Sequence, residues 1–171
     1  MKSMGKILGA IAIIGTFAFC GLAEDSAAVK NLLKTWKPYG TKDATVIGTD
    51  GVIACENKTE QDASGVVQTL VLDQKEAKPI SFSAENKAEN VSGKTDAANY
   101  SIYLDIIYAD NTKKYGVTAA FKTGTHDWEK ASFSFTPEKP IKSLSYYMLF
   151  RKKTGKVWFR NAVLTEEDVK K

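Results

Sequence analysis

Alternation of apolar and polar residues with a period of two, recurring along most of the chain, is the feature that most restricts what this sequence can fold into. Between residues 100 and 108, Tyr100, Ile102, Leu104, Ile106 and Tyr108 fall on one side of an extended chain, and Ser101, Tyr103, Asp105 and Ile107 on the other. Residues 143–151 repeat the pattern, with Leu144, Tyr146, Met148 and Phe150 set against Ser145, Tyr147, Leu149 and Arg151. A strand with one apolar face and one mixed face must bury the first and can leave the second wet. Two antiparallel sheets that turn their apolar faces together satisfy that demand, and Ile80, Phe82, Phe133 and Phe135 extend the same core.

Turn signals divide the chain into about nine strands, at 44–48, 51–56, 65–72, 79–87, 99–108, 115–121, 128–136, 143–151 and 157–164. Asp50-Gly51 is a hairpin signal between the first two, and Pro137 to Pro140 and Thr154-Gly155 mark later turns. The class is therefore all-β, a two-sheet antiparallel β-sandwich. Ahead of it, Val29, Leu32, Leu33 and Trp36 stand at helical spacing behind Ser26, a ready N-cap. That predicts either a short helix or an irregular lead-in pinned by Trp36. The expected organisation is a lead-in at 24–36, the sandwich at 37–165 and a fraying tail at 166–171.

The first 23 residues read differently. Lys2 and Lys6 precede an apolar run from 7 to 19, and Gly21 and Ala23 occupy the small-residue positions before Glu24 and Asp25. This is the layout of a secretory signal peptide cleaved near Ala23, with an apolar run too short to cross a bilayer. The expected location is periplasmic or extracellular. Lipidation at Cys20 is the alternative, and the bulky Phe19 ahead of that cysteine stands against it. Removing the first 23 of 171 residues leaves 148, enough for one domain with a proper core. The chain carries +4, so without Lys2 and Lys6 the mature part carries about +2, which gives no electrostatic argument for a nucleic-acid partner. Cys55 alone remains after cleavage; it lies in an apolar stretch and is expected as a small buried hydrophobe without a disulfide.

Several motifs, in their order, point to a family. YSIYLDIIYADNT at 100–112 is followed by FKTGTHDW at 121–128, PEKPIKS at 137–143, YMLFR at 147–151 and VWF at 157–159. Upstream stand CEN at 55–57, ASGV at 63–66 with Gln68, and KAENVSG at 87–93. Together they resemble bacterial carbohydrate-binding modules of the galactose-binding-domain-like type, over roughly residues 36–165. The resemblance implies a jelly-roll sandwich and a polysaccharide or glycan ligand. Such modules often end the last strand in Trp-Phe-Asp-Asp and use an aspartate there to hold a structural calcium. Here the stretch is Trp158-Phe159-Arg160-Asn161. Asn161, with Glu56 and backbone carbonyls, leaves a partial set of oxygens, but Arg160 puts a positive charge beside a cation that prefers anionic ligands. No other cofactor is implied.

Alternation places Tyr103, Asp105, Tyr147 and Arg151 on the mixed face, with Tyr115 and Gln68 as flanking candidates. Aromatic faces, a carboxylate and a planar guanidinium suit a ligand rich in hydroxyls. The competing interpretation is a cross-strand Asp105–Arg151 ion pair with the tyrosines covering the sheet. Trp36, Trp128 and Trp158 are expected to plug the ends of the core. His126 is the only histidine and sits in a turn sequence, and Asp105 is the one acid placed on the mixed face, so no catalytic constellation is legible. The expected function is non-catalytic binding of a polysaccharide or glycoconjugate. An envelope or protein-interaction sandwich is the alternative, and a small glycoside hydrolase the third reading.

Overall fold

A computed structural model describes residues 30–167. The predicted signal peptide, Cys20, Ser26, Val29 and the last four residues of the tail lie outside them. The described chain forms ten strands: β1 Lys37–Pro38, β2 Thr45–Ile47, β3 Ile53–Asn57, β4 Ala63–Val71, β5 Ile80–Val91, β6 Tyr100–Tyr108, β7 Lys113–Ala120, β8 Gly124–Phe135, β9 Ile141–Arg151 and β10 Gly155–Glu166. They make two five-stranded antiparallel sheets, in the orders β1-β4-β9-β6-β7 and β2-β3-β10-β5-β8. This is the all-β sandwich of jelly-roll type that the alternation and the resemblance lead one to expect. The strand beyond the expected nine is β1, two residues pairing with Val66 and Val67, too short to leave a periodic trace.

The predicted apolar faces meet in the middle. Tyr100, Ile102, Leu104, Ile106, Leu144, Tyr146, Met148 and Phe150 are all 1% exposed or less, as is Ile80. Phe133 departs from expectation at 47% exposed, because β8 is an edge strand; its ring still leans on Phe82, with centroids 5.9 Å apart. Cys55 is buried in this core, and burial pushes its thiol up to about 11, which leaves it protonated and inert at neutral pH.

The lead-in takes the second of its two predicted forms. Residues 30–36 form no helix and run as a strap across the sandwich edge. Asn31 donates from Nδ2 to the Ala162 carbonyl (3.0 Å) and accepts from the Leu164 N–H (3.1 Å). The Leu32 N–H donates to the Leu164 carbonyl, and the Lys34 N–H donates to Gln68 Oε1 at 2.8 Å. Trp36 then lies against Tyr146, centroids 5.6 Å apart, as the expected core plug. These partners prevail over a helix because they pair the N–H and carbonyl of the buried Leu164, which β10 would otherwise leave open there.

Polar contacts cross between the sheets. Asn57 on β3 is 2% exposed; its Nδ2 donates to the Phe150 carbonyl (3.0 Å) and its Oδ1 accepts from the Ser64 hydroxyl (2.8 Å). Asn86 on β5 donates to the Tyr100 hydroxyl at 2.7 Å. Tyr146 on β9 donates to the Ser83 carbonyl at 3.0 Å. Gly65 marks a point of close approach: at φ +137°, a Cβ there would stand 2.0 Å from the Met148 carbonyl oxygen. Removing a tie orphans buried groups, at a cost of about 1–3 kcal/mol. Asn57→Ala is expected to lower stability by about that amount, read as a fall in the urea midpoint without a change in slope.

Candidate functional site

β6 and β9 are neighbours in the first sheet, and their register sets Tyr103 directly opposite Tyr147 on the outer face. That face cannot turn inward, because the other side of both strands is filled by core residues. The two rings meet edge to face, centroids 6.1 Å apart at 76°. Tyr39, carried just beyond β1 by a bond from its N–H to the Gly65 carbonyl, meets the other side of Tyr147 at 5.7 Å and 80°. The three rings form a row across the sheet. With Asp105, Leu149 and Arg151 they line a cleft of about 120 Å³.

A cleft of that size seats one ring of a ligand rather than a whole chain. Its charged residues come from different levels of the sheet. Asp105 is level with Ser145 in the ladder, whereas the Arg151 N–H bonds the Asn99 carbonyl, well along the strands. The expected alternative, an Asp105–Arg151 ion pair, is therefore not formed. Arg151 instead donates from Nε to Asn99 Oδ1 (3.0 Å) and from Nη2 to the Ala98 carbonyl (2.8 Å), with its Cζ 6.0 Å from the centroid of the Tyr103 ring.

Asp105 sits where β7 bulges. The register slips between Leu104 and Asp105, and Gly116 takes φ +75° there, a left-handed conformation that costs any other L-residue strain. Asp105 Oδ1 is shielded from solvent and has no hydrogen-bond partner among the described residues. Burial raises the carboxyl pKa above its ordinary value; the Tyr103 hydroxyl, the Gly116 N–H and the Arg151 charge pull it only part of the way back. Burial, and then the Asp105 charge, also raise the phenols of Tyr103 and Tyr147, which stay protonated at neutral pH as donors.

Four of the residues that alternation selected are thus brought together: Tyr103, Asp105, Tyr147 and Arg151. The flanking pair is not. Tyr115 stands opposite Asp105 in the ladder but is 61% exposed on edge strand β7, outside the cleft. Gln68 faces the core side, opposite Tyr146, and holds the lead-in strap. Tyr39 escaped the sequence reading because it precedes any periodic segment. Leu149 was on the mixed face by alternation but carries no polar group to draw notice.

The calcium candidates are also separated. Glu56 is exposed and pairs with Lys156 across β3 and β10, at 3.7 Å. Asn161 lies farther along β10, past the Phe159–Ile53 pair, at φ 51° in a bulge. It turns to Glu85, whose carboxyl is held below the usual range by the Arg160 guanidinium and then by Asn161. Among the described residues, no cluster of three or more His, Cys, Asp or Glu side chains could hold a metal ion. Trp128 and Trp158 correct the core-plug expectation too. Phe159 takes the inner face, so Trp158 faces out beneath Lys87 (6.0 Å), and Trp128 lies under the Arg160 guanidinium (3.9 Å).

No family model matches this chain. Over 118 residues, 66% of the chain, it is 35% identical to the tRNA3(Ser)-specific nuclease WapA of Bacillus spizizenii and 35% to the tRNA(Glu)-specific nuclease WapA of Bacillus subtilis subsp. natto. The chain spans 5% of the length of each of these relatives. Solved structures of the same fold include a family 4 carbohydrate-binding module, with a TM-score of 0.55, 12% identity, and coverage of 77% of this chain and 86% of that one. They also include a family 61 module in complex with β-1,4-galactotriose, with a TM-score of 0.51, 12% identity, and coverage of 81% and 99%. The carbohydrate-binding-module fold is therefore the fold of this chain. The curated relatives correct three functional expectations: non-catalytic glycan binding with its two alternatives, the absence of enzymatic activity, and the exclusion of nucleic acid. They are named tRNA nucleases. The exclusion rested on net charge, which sums over the whole surface, whereas single strands are held by local stacking and a few cations.

The Asp105 shift has a sign that can be checked. Its folded pKa is raised, so the folded state binds the proton more tightly, and this group's contribution to stability is lost as pH rises through that folded pKa. Asp105→Asn removes the loss. The urea midpoint of the variant minus that of the wild type is expected to grow with pH from about 3 upward and then level off.

Proposed function

We propose that this domain is an RNA-engaging module of a tRNA nuclease, and that the cleft walled by Tyr39, Tyr147 and Tyr103 takes one unstacked nucleotide. The observation that carries the reading is the cleft itself: three tyrosine rings edge to face, with a guanidinium above one of them. RNA is recognised chiefly at single-stranded loops and ends, where splayed bases stack on aromatic rings or on arginine planes. The similarity to tRNA nucleases over 118 residues gives the same direction. Stacking tolerates any base, so this face supplies grip rather than sequence choice.

The test is fluorescence anisotropy with labelled single-stranded oligoribonucleotides, competed with unlabelled tRNA at fixed salt. Stacking on one ring contributes about 1–3 kcal/mol, so Tyr147→Ala is expected to weaken binding ~5-fold or more, and Arg151→Ala to act in the same direction. Absence of binding to both RNA forms would overturn the reading.

The proposal keeps residues 1–23 as an export signal, 24–36 as lead-in, 37–165 as the working domain and 166–171 as tail, with the mature chain periplasmic or secreted. The layout of Lys2, Lys6, the apolar run and Ala23 supports it. Mass spectrometry of the exported chain is expected to find Glu24 at the N-terminus; an acylated Cys20 there would replace a free module with a tethered one.

A further inference from the structure

We infer that the tyrosine cleft is one station of a longer track: Tyr115 stacks a neighbouring base and Lys113 meets a phosphate beyond it, so the sheet grips a run of single-stranded RNA. The inference rests on the RNA-engaging reading and extends that site from one nucleotide to several.

Tyr115 is the ring this face leaves bare. It is 61% exposed on edge strand β7, and no other described residue stacks on it or hydrogen-bonds its hydroxyl. An uncovered ring face is a surface on which any base can stack.

The ladder fixes its place relative to the cleft. Tyr115 pairs with Asp105, two residues along β6 from Tyr103, so Tyr103 and Tyr115 are diagonal neighbours on the outer face. Diagonal neighbours stand about 7–8 Å apart across a sheet. Gly116 keeps the ground between them clear. A Cβ there would rest against the Tyr103 ring, 3.7 Å from Cε2, and its φ of +75° disfavours any side chain. Val117, the next residue, is buried on the inner face, so β7 puts no side chain between the two rings.

Charge says where the phosphates go. Asp105, at the level of Tyr115, is engaged from within by the Tyr103 hydroxyl and the Gly116 N–H, and its charge repels a phosphate from the ground between the rings. Positive charge flanks that acid on both sides. Arg151 enters from the level of Asn99 and leans over Tyr103. Lys113 enters opposite Ile107, the next outer position past Asp105, and forms no ion pair among the described residues. From Tyr103 to Ile107 is about 13 Å of strand, against about 3.4 Å for each nucleotide of a stacked strand.

Lys113 does not stand alone. The turns at 109–114 and 137–142 are joined by a bond from the Ala109 N–H to the Pro140 carbonyl, and together they carry four lysines and two carboxylates. One of those acids, Asp110, is already paired with Lys139 at 2.6 Å. A local surplus of this kind draws a polyanion even where the net charge of the chain is small.

Fluorescence anisotropy with labelled homopolymeric RNAs of graded length tests the track. Affinity is expected to rise with length and to level off sooner in Tyr115→Ala. On the longest RNA that variant is expected to bind ~5-fold or more weakly, the loss of one stacked base. Tyr115→Trp, which keeps a stacking face, is expected to bind at least as tightly as the wild type. Lys113→Ala is expected to make the plot of log K against log salt shallower by ~0.7, one phosphate contact on a single strand, whereas Tyr115→Ala leaves that slope unchanged. Both side chains are exposed, so the variants keep the core intact. Three results overturn the inference: wild-type affinity in Tyr115→Ala, failure of Tyr115→Trp to restore what alanine loses, or an unaltered slope in Lys113→Ala. Any of them, with Tyr147→Ala still weakening binding, leaves the single-nucleotide reading standing. If no RNA binds at all, both fall.

Discussion

Two apolar sheet faces pressed together hold this domain, and that contact alone would not specify one arrangement. Burial of apolar surface is non-directional, so sheets joined only by it can slide. The bonds from Asn57, Asn86 and Tyr146 are directional, and each runs from one sheet to the other. Buried away from water, they hold only in one alignment, because a slip would leave each group unmatched. They convert a general attraction into a defined register.

The outer face inherits its shape from that inner one. Once Ile102, Leu104, Tyr146 and Met148 fill the core side of β6 and β9, the alternate residues have no choice but to stand outside. Adjacency of β6 and β9 then matters more than either strand. Tyr103 and Tyr147 are 44 positions apart in sequence, yet the ladder sets them face to face. A site built this way sits on the most fully hydrogen-bonded part of the sheet rather than on a loop.

How much of this was legible follows from the same physics. Period two reports a face, so Tyr103, Asp105, Tyr147 and Arg151 could be grouped before any strand was paired. It does not report what lies across the ladder, which is why Gln68, selected by motif, proved to be a strap anchor on the core side. Nor does it speak for irregular segments, so Tyr39 went unnoticed. Trp128 and Trp158 misled through their size: a tryptophan is expected to fill a core, but cations from other strands of the same sheet cover these rings on the outer surface. Glu56 and Asn161 misled through analogy, since a shared motif says little once an arginine stands within it. The functional class was the least legible, because a whole-chain charge conceals where the individual charges lie.

The mutual packing of Tyr39, Tyr147 and Tyr103 has a consequence for how quickly anything comes and goes. Each ring is already braced by its neighbour, so an occupant need not freeze freely turning side chains, a cost of about 0.5–1.5 kcal/mol apiece in looser sites. The seat is ready before the ligand arrives. Because its walls stand mainly on strands, arrival and departure need no slow rearrangement, and residence time is governed by the contacts themselves. Such a surface suits brief, repeated grips along a polymer.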